Sequence, residues 1–542
     1  MNFSKSFGKS ILLIGSALLL VACGNEESAA GEGGAGDLAE RYELDAATPA
    51  WELDTKEEIT ELTWYVNADW WNDSWGEDTV TKQMEEDLNV KINFIKGDDT
   101  NLNMMFSSED VADIVTIFDS NSQVAKEADT WAYSLNELAE QYDPHWNEVA
   151  AEDTLNWFQL ENGETYGYPN YSNTADDYES GMIPSNTNFL IRKDVYEAIG
   201  EPDFGTREEF VAAMEMIDQE FPELVPFGFN ALGDGVGSLG DVFQDFLGVD
   251  LVDADGNFKN RNLDEEYLGW LRTFREVHEA GNISDDSFAA DGTAFEEKLK
   301  SGQYATVMGS GTAQMSGFLQ SWMAANPGSE YIAIDGPQHS EGNAPKLNQS
   351  GITGWMINYI SKDTVDPAKA IQIFTYLQSD YGGTLTNFGV EDETFVYDTD
   401  GRIELLPAIQ EVKDNDADRY KIEYRLSEFI FFGHDKYQAM ASESLQTPAL
   451  IQPRAWGEGL LYPHFILENI DPSPGTKEAR NLSAINTNWN TTLVSLIRSA
   501  SDEDFDKVLA DYEAFLADTG WDAIVEIRNE KIATNKEKLG LE

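Results

Sequence analysis

The stretch "NADWWNDSW" (67–75) sets Trp70, Trp71 and Trp75 among Asn67, Asp69, Asn72 and Asp73. An indole face packs against C–H groups, while carboxylates and amides bond hydroxyls. Together they form a set able to hold a flat molecule with an apolar face and a hydroxylated edge, as a sugar ring has. Aromatic residues crowded into a polar loop have no helical or strand period that would assign them to a core. Each of the three either faces a ligand or packs inward.

Chemistry of a catalytic kind is harder to find. A glycosidase needs two carboxylates at a set separation, and with 100 acidic residues candidate pairs carry no information. His145, His278, His339, His434 and His464 are scattered; there is no H-E-x-x-H and no G-x-S-x-G. Three acid-rich stretches have some of the acid spacing of a calcium loop. "DADGNFKNRNLD" (253–264) has Phe258 at its sixth position and Asp264 at its twelfth, where an EF-hand needs Gly and Glu. "DNDADRYKIEYR" (414–425) ends on Arg425, and "DTDGR" (398–402) puts Arg402 where a ligand belongs. Each reads as a turn, so a structural calcium has no support and no cofactor is expected.

The elements that must position these residues are legible in order. "ITELTWYV" (59–66), "VKINFIKG" (90–97) and "DIVTIF" (113–118) read as strands, with helices at 78–89 and around "NLNMMFSSED" between them. Strand, helix, strand, helix, strand predicts a parallel sheet with crossover helices, whose ligands lie beyond the carboxyl ends of the strands. That places the tryptophan loop and "DSNSQ" (119–123) at the site. Asp119 and Asn121 then face hydroxyls, unless Asp119 caps the next helix. "TREEFVAAMEMI" (206–217) opens with a Thr206/Glu209 capping box, "DPAKAIQIFTYLQS" (366–379) with Asp366 and Pro367, and 501–520 runs from Ser501 to Gly520. "MGSG" (308–311) offers Ser310 and free N–H groups near a strand end, and Trp456 lies in the Gly/Pro-bearing "QPRAWGEG".

The formal charge of −65, from 35 basic and 100 acidic residues, repels nucleic acid and anionic polymers. It argues against a polyuronate or phosphorylated ligand unless a local basic pocket overrules the average, and it fits a saline or alkaline exterior. At 41% hydrophobic residues the chain has the substance for large cores. Lys5 and Lys9 precede the apolar Ile11–Ala22, a secretory leader too short for a permanent span. Leu20-Val21-Ala22-Cys23 resembles the bacterial lipobox, which implies acylation of Cys23, the only cysteine, and cleavage before it. Residues 24–37, rich in Gly, Ala, Ser and acid, read as a flexible tether of about 20 Å.

Several segments resemble extracellular solute-binding protein family 1, the lipoprotein receptors of sugar-importing ABC transporters. They are "SSEDVADIVTIFDSN" (107–121), "YGYPNYSN" (166–173) with "NFLIRKDVYEAIGEPDFGTREEF" (188–210), "AFEEKLKSGQYATVMGSG" (294–311), and "GWMINYISKDTVDPAKAIQIFTYLQSDYGG" (354–383). The tail from "NWNTTLVSLIRS" resembles the C-terminal helices of the longer, oligosaccharide-type members. The resemblance implies an α/β protein of two periplasmic-binding-protein-like lobes with ligand in the cleft. It implies a leader at 1–22, a lipid-anchored linker at 23–54, lobe one at 55–180 with 331–392, and lobe two at 181–330 with 393–542. Tyr168 and Asn170, near the first crossing, and Trp355, at the strand after the second, are then expected in the cleft, with Trp456 from lobe two. A monomer on the outer face of the cell membrane, with carbohydrate as ligand and an ABC permease as partner, completes what the resemblance implies. A secreted carbohydrate hydrolase and a peptide receptor are the competing readings.

Overall fold

The computed structural model describes residues 41–230, 237–288, 292–349, 351–442 and 445–541. The leader, Cys23 and the tether 24–37 lie outside them.

Two separate sheets organise the chain. The first has strand order β2-β1-β3-β9-β4, built from β1 (Thr60–Val66), β2 (Val90–Lys96), β3 (Ile114–Ile117), β4 (Gly167–Pro169) and β9 (Ile357–Ile360). The second has order β6-β7-β5-β8, from β5 (Thr187–Arg192), β6 (Val225–Phe229), β7 (Tyr304–Ser310) and β8 (Tyr331–Ala333). A short hairpin, β10 (Phe395–Tyr397) and β11 (Ile403–Leu405), packs beside the first.

The strands and helices read from the first hundred residues of the folded part are present. β1 pairs in parallel with β2 and β3, as the crossover helices Thr79–Leu88 and Asp99–Ser108 require. The sheet as a whole is mixed, because β9 enters between β3 and β4 antiparallel to both. Helix starts follow the capping chemistry: Thr206 and Glu209 form both halves of the capping box, Asp366 accepts from the Lys369 amide, and Ser501 from Asp504.

The central strands of each sheet are buried on both faces. Leu62, Trp64, Ile114 and Ile360 point into one core under the helix Pro367–Gln378, and Tyr65, Val115 and Tyr359 into another. Phe189, Phe227 and Met308 join the helices Arg207–Glu220, Glu265–Glu279 and Lys477–Ile497 in the second lobe.

Two segments lie on the other side of the expected lobe boundaries. Tyr331–Ala333 pairs with β5, so the chain after 330 remains in lobe two and returns near the turn 351–354. Phe395, Ile403, Phe429, Phe431 and Tyr437 are buried in the core of lobe one, so the segment after 392 stays there until about residue 442. The 393–442 stretch has little strand or helix periodicity, and its side is decided by aromatic packing that local pattern does not reveal.

The N-terminal end of the described chain is fastened to lobe one. Asp54, 1% exposed, bonds Arg41 and Lys369, and Arg41 and Lys56 also reach Asp366 at the head of the Pro367–Gln378 helix. Lys369 is itself 3% exposed.

Candidate functional site

β1, β3 and β4 all end on the same edge of the first sheet, and β9, antiparallel to its neighbours, begins there. Four aromatic rings follow this edge. Trp70 comes from the loop after β1, Phe118 directly follows β3, Trp355 precedes β9, and Tyr171 follows β4. Trp70 and Phe118 lie 6.2 Å apart between centroids, Phe118 and Trp355 5.8 Å, and Trp355 and Tyr171 6.3 Å, the last pair stacked. Trp70 is 61% exposed and Trp355 39%. The result is a contiguous row of four rings, longer than a single sugar ring.

The row is held from below. Tyr171 has φ 46°, and its amide donates to the Gly433 carbonyl at 2.5 Å. A Cβ on Gly433 would come within 2.4 Å of the Tyr171 ring, so this approach requires glycine. Burial, reinforced by Asp435 and Glu428, pushes the Tyr171 phenol up to about 12. Asn170 is fully buried: Oδ1 accepts from the amides of Met356 at 2.8 Å and Trp355 at 3.3 Å, and Nδ2 donates to the Ile430 carbonyl at 2.7 Å. It fixes the backbone on both sides of the row.

The expected cleft residues therefore divide. Trp70 and Trp355 are on the row, and Asp69 is exposed beside it. Trp71 is buried against Phe94, Phe429 and Phe431 instead of facing the cleft, because adjacent residues of the loop point opposite ways. Trp75 is half-buried and donates Nε1–H to Glu85 at 3.0 Å. Tyr168 and Asn170 are scaffold rather than lining. The Tyr168 ring sits edge-on to Trp146, its hydroxyl accepts from the Ala151 amide at 3.0 Å, and burial pushes that phenol up to about 12.

Asp119 does not cap a helix; Ser122 does. The Asp119 carboxylate accepts from the Asn121 amide at 2.8 Å and is otherwise exposed. Asp119 and Asn121 line a cavity of about 460 Å³ between the lobes, walled on the other side by Gln244, Asn260, Asn262, Tyr512 and Trp521. Asn469 of lobe two donates to the Ser120 hydroxyl at 3.1 Å, joining the lobes at this point. The cations around the cavity are already paired: Lys259 with Asp264 at 2.7 Å, Arg261 with Asp245 at 2.5 Å, and Arg528 with Asp471 at 2.6 Å.

In lobe two, Ser310 ends β7 and its carbonyl accepts from Asn230 at 3.3 Å. Just beyond it Thr312 donates to the Asn186 carbonyl at 3.0 Å and Ala313 to the Asn186 side chain at 2.7 Å. Trp456 ends the helix Pro448–Trp456, stacks on Phe246 and donates to Asp335 at 2.9 Å, a place in the lobe-two packing. Phe118 and Tyr171 escaped sequence reading, since one aromatic at a strand end looks like core. The acid-rich "DADG" and "DTDG" loops are turns in which Asp253 and Asp398 accept their own downstream amides. Among the described residues no group of three His, Cys, Asp or Glu is gathered as metal ligands, and no helix is long and apolar enough to cross a membrane.

Two α/β lobes, each on its own sheet, with the strand ends of the first turned to a cleft, make this a fold of the periplasmic-binding-protein class. No protein-family model matches the chain, and no curated protein does. Among solved structures, an extracellular solute-binding protein from Bifidobacterium longum subsp. infantis is similar with TM-score 0.68 at 14% identity, over 89% of this chain and 99% of that one. The alginate-binding protein AlgQ2 gives 0.61 at 16% identity, over 88% and 99%. The ABC-transporter substrate-binding protein FusA of S. pneumoniae, in complex with kestose, gives 0.59 at 14%, over 88% and 100%.

Proposed function

We propose that this protein is an extracellular receptor, lipid-anchored through Cys23, that captures a carbohydrate and delivers it chemically unchanged to an ABC permease. The observation that carries the reading is the row Trp70–Phe118–Trp355–Tyr171, four contiguous rings at the strand ends of the first sheet. Sugar rings stacked on such a row keep their hydroxyl edges free for Asp69, Asp119 and Asn121 on lobe one and Ser310 across the cleft. The length of the row favours an oligosaccharide. The paired cations beside Asp119 favour an uncharged one, since an anionic glycan would find no free positive partner there. Closure of the lobes around the sugar is the hinge motion this architecture permits, and a closed form is what a permease would recognise. FusA, in complex with kestose, and the alginate-binding protein AlgQ2 share the fold and support a carbohydrate for this chain.

The test is the melting temperature of the protein from about Asp37 onward against neutral and acidic oligosaccharides, with peptides as controls and product analysis of each sample. Ligand at 100 times its dissociation constant adds about 2.7 kcal/mol of stability. A shift with an intact neutral glycan is expected. Shifts with peptides alone, or cleaved glycan in the tube, would overturn the reading.

A further inference from the structure

The stretch 414–425 fails as a calcium loop because it closes on Arg425, and the structure gives that arginine other partners. Residues Tyr420–Tyr424 form one wide π-helical turn, and Arg425 follows in the left-handed region at φ 58°. Such single wide turns are rare and are found most often at functional sites. Here the guanidinium is driven into lobe one until Arg425 is 1% exposed.

Its partners all belong to the tryptophan loop or its floor. Nη2 donates to the Asn72 carbonyl at 2.5 Å and Nη1 to the Ser74 carbonyl at 2.8 Å, with the Asp78 carboxylate at 3.5 Å. Cζ lies 5.3 Å from the Trp71 ring centroid, 5.1 Å from Phe429 and 5.7 Å from Phe94. Asp78 is shared with the amide and hydroxyl of Thr81, each at 2.8 Å, so Arg425 is also tied to the start of the next helix. One planar fork thus grips two alternate carbonyls of the loop while the ring of Trp71 lies against the same cation. With Trp71 fixed inward, its neighbour Trp70 is turned outward, 6.1 Å away and edge-on.

We propose that Arg425 is a positioning residue for ligand recognition: it sets the 69–75 loop so that Trp70 stands at the end of the ring row. The proposal rests on the carbohydrate-receptor reading for what Trp70 contacts. The order of the loop itself is independent of that reading. A lysine cannot replace the arginine, because an ammonium offers no planar pair of donors to two separated carbonyls.

Hydrogen exchange on the unliganded protein tests the positioning directly. In R425K, amides of 69–77 should exchange about tenfold faster, with those of β3 and of lobe two unchanged. The second readout is affinity for the glycan giving the largest thermal shift. R425K should weaken it about tenfold in the native sequence but add nothing once W70A is present, because the two changes act through one contact. Uniformly faster exchange across lobe one, unchanged exchange in the loop, or equal affinity losses with and without Trp70 would overturn the proposal. If R425K does not fold, R425Q, which keeps one donating amide, is measured the same way. Failure of both to fold would make Arg425 a core residue and overturn it as well. If no glycan binds the native protein, the receptor reading fails while exchange still decides the loop.

Discussion

Replacing Asn170 by alanine separates a scaffold role from a ligand-contact role. The side chain is fully buried and makes bonds of 2.7, 2.8 and 3.3 Å to three backbone groups near β4, β9 and the 426–432 segment. Alanine leaves the Met356 and Trp355 amides and the Ile430 carbonyl without this partner. An unsatisfied buried group costs about 1–3 kcal/mol, and the long bond to Trp355 counts least, so the loss comes to about 3–5 kcal/mol. For a unit of roughly 200 residues each kcal/mol lowers Tm by about 2–4 °C, which predicts a fall of about 6–20 °C. Calorimetry is the assay, because two lobes need not melt together. The transition that moves should be that of lobe one, and ligand affinity should fall only modestly, through the shifted backbone at Trp355. A transition within about 2 °C of the native one would refute the bonding argument. Unchanged melting with abolished binding would return Asn170 to the cleft as a ligand contact.

W355A, at a ring 39% exposed that packs on Phe118 and Tyr171, should cost about 1–3 kcal/mol of stability and weaken glycan binding about tenfold in titration calorimetry; a stability loss without an affinity loss would count against the ring row. Burial, together with Arg261 and Lys346, lowers His464 from 6.5 to about 4. The unfolded chain therefore takes up a proton that the folded one refuses, and stability is lost as pH falls from 6.5 towards 4, up to about 3 kcal/mol. H464Q, titrated by urea unfolding at several pH values, should lack that part of the loss. D54A, which leaves the buried Lys369 and Arg41 without their shared carboxylate, should cost about 3–5 kcal/mol, whereas D54L with K369M should recover much of it.

What the sequence disclosed was mostly short-range. Thr206 and Glu209, or Asp366 and Pro367, announce a helix start because the atoms that bond are three residues apart. β1, β2 and β3 were equally plain from alternation and composition. The loop 67–75 announced itself by its crowding, but whether Trp70 or Trp71 faces outward depends on Arg425, Phe429 and Phe431, more than 350 positions away. Tyr171 and Phe118 were invisible as site residues because their role comes from β9 inserting antiparallel between β3 and β4, a pairing no local pattern encodes. Tyr168 and Asn170, expected in the cleft near the first crossing, both turn inward there.

That inserted strand has a consequence for how the molecule is made. A chain emerging from the N-terminus delivers β1, β2, β3 and β4 early, yet β3 and β4 cannot meet until Ile357–Ile360 arrives, after the whole second sheet has been synthesised. Until then β3, whose four residues are all buried in the finished fold, presents an open hydrogen-bonding edge. Such long-range closure folds slowly and exposes intermediates to aggregation. A fragment ending before residue 357 would keep that edge open for good, so truncation at the first crossing yields a sticky half-sheet rather than an independent lobe one.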